Sequence, residues 1–297
     1  MKIILLGSNG QIGWELQRSL APLGQLLACD RETADFEELN SLYKLVLDFN
    51  PDVIVNAAGY TSVDKAENEP DKASQINSEA VIMLAEVAKK LHCLLVHYST
   101  DYVFDGLKEG AYTETDKTNP ISVYGKTKLL GEEGIKEIGC KHIIFRTSWV
   151  YALHGTNFVN TIIQIARKQY ELKVVNDQIG SPISAELIAD ITSLCLYRIV
   201  QGKNLTQNMI GIYNLTTVGE TNWHDFAKYI ITIAKKRGAT FLADPDKIIP
   251  VKSSEFFQQA LRPANSLLDS QKLCCTFNIH LPFWQTSVDR LIRELYF

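Results

Sequence analysis

Through the first half of the chain, unbroken apolar runs of strand length alternate with stretches whose apolar residues recur every three or four positions. KIILL (2–6) reads as a strand, QIGWELQRSLAPL (11–23) as a helix, QLLAC (25–29) as a strand, FEELNSLYKLVLDF (36–49) as a helix and DVIVNAAG (52–59) as a strand. A long helix is expected around 71–91, then the strand CLLVHYS (93–99), a helix over about 122–137 and the strand HIIFRTS (142–148). Continuous apolar strands, as opposed to alternating ones, suit a parallel sheet covered on both faces. Strict strand–helix alternation implies βαβ units, hence a Rossmann-type, doubly wound α/β fold. After Trp149 the pattern loosens: helices near 156–169, 184–200, 222–237 and 283–295 are separated by short strands and by a turn-rich, polar stretch at 244–266. The expected division is a regular layer over 1–150 and a smaller α/β part over 151–297, with some of its segments returning to the first sheet.

Composition narrows the classes. The 297 residues are 46% hydrophobic and 22% charged, the profile of a globular chain with a real core. Net charge is 30 − 34 = −4, so no electrostatic footprint for nucleic acid is present. The N-terminal apolar run, Ile3 to Leu6, is too short for a signal-peptide core, and no stretch approaches the roughly 18 apolar residues that a membrane span needs. The six cysteines contain no C-x-x-C pair and read as reduced thiols. A cytoplasmic protein is expected, with no membrane partner.

Two clusters carry candidate chemistry. The first strand–helix junction is GSNGQIG, with Gly7, Gly10 and Gly13. Glycines there let a pyrophosphate approach backbone N–H groups and the positive end of a helix. Asp30 ends the second strand, where a carboxylate accepts hydrogen bonds from an adenosine ribose. Arg31 beside it suits a 2′-phosphate, so NADH and NADPH both stay open; the bland alternative is a plain turn with a solvated Asp–Arg pair. The second cluster is Tyr124 and Lys128 in VYGKTK, four apart on one helix face, with Thr100 at the carboxyl end of the strand at 93–99. Hydride addition to a ketone builds negative charge on oxygen and requires a proton. A free tyrosine titrates near pH 10, and a nearby ammonium would bring it closer to operating pH. Threonine would hydrogen-bond the developing oxyanion.

The glycine turn together with NAAGYTSVDKAE, HYSTDYVFDG, VYGKTK, RTSWVY and LRPANSLLD resembles the dTDP-4-dehydrorhamnose reductases, extended short-chain dehydrogenases/reductases, over essentially the whole chain. The resemblance implies NAD(P)H-dependent reduction of the 4-keto group of dTDP-4-dehydro-6-deoxy-L-mannose to dTDP-L-rhamnose, a donor for lipopolysaccharide and other surface polysaccharides. It implies an NAD(P)-binding domain over 1–150 and a mostly sugar-nucleotide-binding domain over 151–297. Tyr124 would be proton donor, Lys128 its partner and ribose ligand, and Thr100 the substrate-oriented hydroxyl. Gly10, Gln11 and Ile12 match the family's pyrophosphate contacts, Asp30 its ribose contact and Asp35–Phe36 a segment near the adenine. Gly59, Tyr60 and Thr61 match contacts to the cofactor's middle, and Tyr98 the nicotinamide side. Asp101 and Trp149 match sugar-nucleotide contacts; Trp149 is also readable as plain core, but it follows a strand at the ligand end. Arg262 suits a diphosphate by its guanidinium fork or, as readily, a surface salt bridge. Some members pair through magnesium; the matching Glu15, Glu186 and Glu294 would then sit at a homodimer contact, or be solvated helix charges.

Dehydratases and epimerases share the Tyr-x-x-x-Lys pair, but dehydratases carry Thr-Asp-Glu where this chain has Thr100-Asp101-Tyr102. The missing acid disfavours elimination. A regulatory subunit of methionine adenosyltransferase is also similar and non-catalytic, a role that would not need the threonine, tyrosine and lysine kept here.

Overall fold

A computed structural model describes residues 1–201, 209–256 and 258–296. Its elements are β1 (Lys2–Leu6), α1 (Gln11–Leu20), β2 (Gln25–Cys29), α2 (Leu39–Phe49), β3 (Val53–Asn56), α3 (Val63–Ala66), α4 (Pro70–Ser74), α5 (Ala80–Leu91), β4 (Leu94–Thr100), α6 (Val123–Ile138) and β5 (His142–Thr147). There follow β6 (Val150–Tyr151), α7 (Phe158–Ala166), β7 (Leu172–Val175), β8 (Ile179–Gly180), β9 (Ile183–Ser184), α8 (Ala185–Gln201), β10 (Gly211–Asn214), β11 (Thr221–Asn222), α9 (Trp223–Lys236), β12 (Ile248–Val251), α10 (Gln271–Phe277) and α11 (Trp284–Leu295). None of these helices is long and apolar enough to cross a membrane.

Six strands in the order β10-β5-β4-β3-β1-β2 form one parallel sheet. Because side chains alternate across a strand, β1 feeds two cores: Ile3 and Leu5 face α1 and α8, whereas Ile4 and Leu6 face α2 and α5. The sixth strand, β10, comes from far beyond residue 150, and α8 packs on α1. A third apolar cluster joins α7, α9 and α11 around Phe226, Ile230 and Trp284 and covers the irregular half.

Three elements depart from the pattern for local reasons. The helix expected over 11–23 tightens to a 3₁₀ turn at Ala21–Leu23, where Pro22 has no N–H to donate. The helix expected from residue 36 starts at Leu39, because Asp35 Oδ1 accepts the Glu37 N–H (2.9 Å) and holds a turn ahead of it. The helix expected over 71–91 is interrupted by a π turn, Gln75–Glu79. There Asn77 turns inward, accepting from Tyr60 N (2.8 Å) and donating to Tyr60 O (3.1 Å) and Thr127 Oγ1 (3.2 Å). That interruption ties the loop after β3 to α6. The polar stretch at 244–266 contains β12, which pairs in parallel with β7.

Candidate active site

The carboxyl ends of β1, β2, β3, β4 and β5 open into a cleft of about 1290 Å³, the place where doubly wound sheets take ligands. At β1 the chain turns through Gly7 at φ 82°, a conformation that favours glycine. The N–H groups of Gly7 and Ser8 both donate to Cys29 O (2.9 Å each). Helix α1 then starts at Gly10 with no side-chain cap and no acidic residue in its first turn, which leaves its first N–H groups facing the cleft beside Gly10, Gln11 and Ile12. Gly13 does not line the cleft. A Cβ there would lie 2.0 Å from the Gly7 carbonyl oxygen, so this glycine lets α1 sit against the turn. Gly13→Ala is expected to destabilise the protein by about 1–3 kcal/mol through overpacking, read as a lowered thermal midpoint; an unchanged midpoint would contradict this close approach.

Asp30 faces the same end of the cleft. Its carboxylate accepts from Thr33 Oγ1 (2.9 Å), Asn9 Nδ2 (3.1 Å) and the N–H groups of Glu32 and Thr33, and these bonds, Thr33 first, draw its pKa down. Arg31 pairs with Glu37 (2.8 Å), and so does Lys72 (2.6 Å). Both cations line the cleft, and Lys72 was not anticipated. Asp35, Phe36, Gly59, Tyr60 and Thr61 line it too.

In the centre, Thr100 Oγ1 caps a 3₁₀ turn by accepting Tyr102 N–H (3.1 Å), donates to Asp101 Oδ1 (3.1 Å), and lies beside the Tyr124 hydroxyl. Burial pushes Asp101 up to about 6, against the Ser266 and Thr100 hydroxyls, which favour the carboxylate. Burial likewise raises Tyr124 above its ordinary value, while the Thr100 hydroxyl beside it opposes the rise. Here the expectation of a lysine-acidified phenol meets a different geometry. Lys128 Nζ donates to Tyr98 O (2.6 Å) and lies 3.2 Å from His97 Nε2, and it is not among the groups acting on the phenol. Burial brings Lys128 down to about 8, with Glu132 pulling it up. Tyr98 reaches the cleft wall, but its hydroxyl bonds Thr192 (2.7 Å) and its ring stacks on Phe145 in the core, so the carbonyl is its polar contribution.

On the other wall Trp149 adopts φ 49°, unusual for a bulky residue, and stacks on Trp223 at 3.5 Å between ring centroids. Gly180 makes room for it, since a Cβ there would meet Trp149 Cε2 at 2.6 Å. Trp223 and Phe158, in contact and both lining the cleft, were missed in the sequence because an aromatic residue in the first turn of an amphipathic helix reads as core. The buried hydroxyls of Thr147 and Ser148 also line the cleft, with no hydrogen-bond partner among the described residues. Arg262 reaches the rim and is paired there, donating to Asp64 (2.6 Å), Gln258 (2.8 Å) and Tyr102 OH (3.3 Å). The salt bridge expected as one reading of Arg262 is present, at the rim of the cleft.

The three glutamates do not form the expected metal site. Among the described residues no group of three His, Cys, Asp or Glu side chains is placed to hold a metal ion. Arg18 lies 3.6 Å from Glu15 and 3.8 Å from Glu186, while Arg290 pairs with Glu186 (2.6 Å) and Glu294 (3.3 Å). Guanidinium groups already supply the positive charge a magnesium ion would bring, so the residues present do not fit one.

A parallel Rossmann-type sheet with a glycine turn, and a Tyr-x-x-x-Lys helix beside a strand-end threonine, define an extended short-chain dehydrogenase/reductase. The profile described as "RmlD substrate binding domain" matches residues 1–297. A dTDP-4-dehydrorhamnose reductase of Burkholderia thailandensis is 44% identical over 296 residues, 99% of each chain. A crystal structure of a dTDP-4-dehydrorhamnose reductase from Clostridium acetobutylicum superposes with a TM-score of 0.90 at 34% identity over 100% of both chains. Another from Bacillus anthracis, in complex with NADP, gives a TM-score of 0.87 at 31% identity over 99% of both. The chain belongs to the dTDP-4-dehydrorhamnose reductase family.

Proposed function

We propose that this chain reduces the 4-keto group of dTDP-4-dehydro-6-deoxy-L-mannose with NADPH or NADH, giving dTDP-L-rhamnose. The observation that carries the reading is the convergence of Tyr124, Thr100 and Lys128 on one cleft, with the phenol beside the threonine at the end of β4 and the lysine one turn along α6. Bound NAD(P)H supplies the hydride. The uncapped start of α1 and the bare backbone at Gly10 suit its pyrophosphate, Asp30 its ribose hydroxyls, and Arg31 with Lys72 a 2′-phosphate. Tyr124 gives its proton to the forming alkoxide, Thr100 orients that oxygen, and Lys128 holds the nicotinamide ribose. Asp101, Trp149 and Arg262 receive the sugar nucleotide, with residues 1–150 mainly serving the dinucleotide and 151–297 mostly the sugar nucleotide. The six cysteines are free, which suits a reducing compartment and a cytoplasmic location. A homodimer is proposed through α8, where Leu194 and Tyr197, three apart, are exposed.

Mixing the protein with the dTDP-ketosugar and NADH or NADPH tests the activity. One nicotinamide is expected to be consumed per sugar reduced. Sugar conversion without net consumption would mark an epimerase or dehydratase, and copurification with a synthetase partner without reduction would mark a regulatory subunit. Lys128→Met is expected to weaken cofactor binding roughly 10–100-fold, the value of a hydrogen bond to a charged or strongly polar group, and to lower turnover. A cofactor titration matching the parent would remove its ribose role.

A further inference from the structure

Behind the tyrosine and lysine runs a line of buried polar side chains: Asn56 at the end of β3, His97 on β4 and Lys128 on α6. Asn56 and His97 are wholly inaccessible, and neither touches the cleft's occupant in the reading above. Such groups persist only when their donors and acceptors match. The Ala58 N–H donates to Asn56 Oδ1 (3.1 Å), which fixes the amide and turns its NH₂ toward His97 Nδ1, 3.1 Å away. A donor facing Nδ1 requires that nitrogen to be bare, so the neutral imidazole carries its proton on Nε2. That N–H points at Lys128 Nζ, 3.2 Å away. An ammonium has no lone pair and would set donor against donor; an amine accepts the bond and still donates to Tyr98 O at 2.6 Å.

We propose that Asn56 and His97 are positioning residues that hold Lys128 as an uncharged amine in the cofactor-free protein. The proposal rests on reading Lys128 as the tyrosine's working partner. Other groups around the lysine agree with it or are already engaged. Glu132, one turn on along α6, favours the charged form, but Arg146 of β5 holds that carboxylate through Nε (2.9 Å) and Nη2 (2.5 Å), and Ser99 of β4 donates to it. Tyr124, one turn back, lies beside the Thr100 hydroxyl, and the nearby Asp101 accepts from Thr100. Burial lowers both His97 and Lys128, the direction a neutral pair needs, and the His97 N–H facing Nζ takes the lysine below the value of about 8 that burial and Glu132 set between them.

Two consequences follow. With no cation beside it, Tyr124 rests as a phenol, the form that has a proton to give. Charging Lys128 requires that His97 move its proton to Nδ1 and, with it, that Asn56 rotate its amide and break the Ala58 bond. Ala57 and Ala58 line the cleft, so the lysine's charge is tied to the β3 loop that an occupant of the cleft would touch.

Long-range ¹H–¹⁵N NMR on the full chain labelled at its six histidines reads this directly, with the His97 signal assigned by its loss in His97→Gln. We expect the Nε2–H tautomer at neutral pH and above; an Nδ1–H tautomer or an imidazolium at neutral pH would overturn the proposal. Asn56→Asp replaces the donor by an isosteric acceptor and is expected to flip His97 to Nδ1–H. The alkaline limb of the NADH-oxidation profile with the dTDP-ketosugar should then move up by about one pH unit or more, the shift that one hydrogen bond exchanged for a charged acceptor supplies. An unmoved tautomer in a folded variant would also overturn it. The NMR measurement needs no turnover, so it stands even where the proposed reduction fails.

Discussion

Tyr124→Phe is expected to lower turnover by about 10²-fold or more, the ordinary worth of a positioned general acid. The substitution removes one oxygen and keeps the ring, which meets Tyr102 edge-on at 5.4 Å between centroids. Thr100 retains the Tyr102 N–H as donor and Asp101 as acceptor, so it is not left without partners. Thermal stability should therefore change little while kcat falls, and the KM for the sugar nucleotide should stay near that of the parent. Because burial holds the phenol above its ordinary value near 10, it stays protonated through neutral pH, and the parent rate should show no limb from this group between about pH 6 and 9. Steady-state kinetics decides the matter: a turnover number equal to the parent's would leave the alkoxide's proton to another donor, with Asp101, buried beside Thr100, as the next to test.

The parallel sheet could be read from the sequence because its strands are continuous apolar runs, and a strand buried on both faces has no polar positions to blur the signal. Helix bounds were less legible wherever one side chain decides them, as Asp35 does before α2 and Asn77 does within the π turn. In the cleft, residues with spacing signatures, such as Gly7, Gly10, Tyr124 and Lys128, come together at the strand ends as expected. Trp223 and Phe158 carry no such signature: their approach to Trp149 depends on α7 and α9 folding back over the sheet, a tertiary fact. The lysine's orientation was illegible for the same reason. Spacing puts Lys128 on the tyrosine's face of α6, but only the neighbouring strand shows that Nζ is claimed by His97 and the Tyr98 carbonyl. The glutamates show the reverse failure, since family correspondence marks their positions without showing the arginines that neutralise them.

Arg146→Met is expected to destabilise the protein by about 3–5 kcal/mol, the usual cost of stranding one member of a buried ion pair. Arg146 and Glu132 are essentially inaccessible, and no water can solvate the carboxylate once the guanidinium is gone. Glu132 accepts three bonds from Arg146, with Nε reaching both oxygens, plus one from Ser99, while the guanidinium lies 5.1 Å over the Phe104 ring. Against a typical total stability of 5–15 kcal/mol that loss is large, and a lowered urea midpoint reads it. Removing both charges is different. Glu132→Leu with Arg146→Met leaves no orphaned ion, and replacing a buried pair with apolar groups of similar volume is often close to neutral. The double variant should therefore recover most of the stability lost in Arg146→Met, with a coupling energy well above 1 kcal/mol in the cycle. Activity should separate from stability in that variant. Glu132 draws the neighbouring Lys128 upward, so losing it lets burial lower the lysine further and moves any limb it sets in the pH–rate profile toward acid. Near-additive single losses would show that the pair is not one energetic unit, and an unmoved limb would show that Lys128 does not sense this carboxylate.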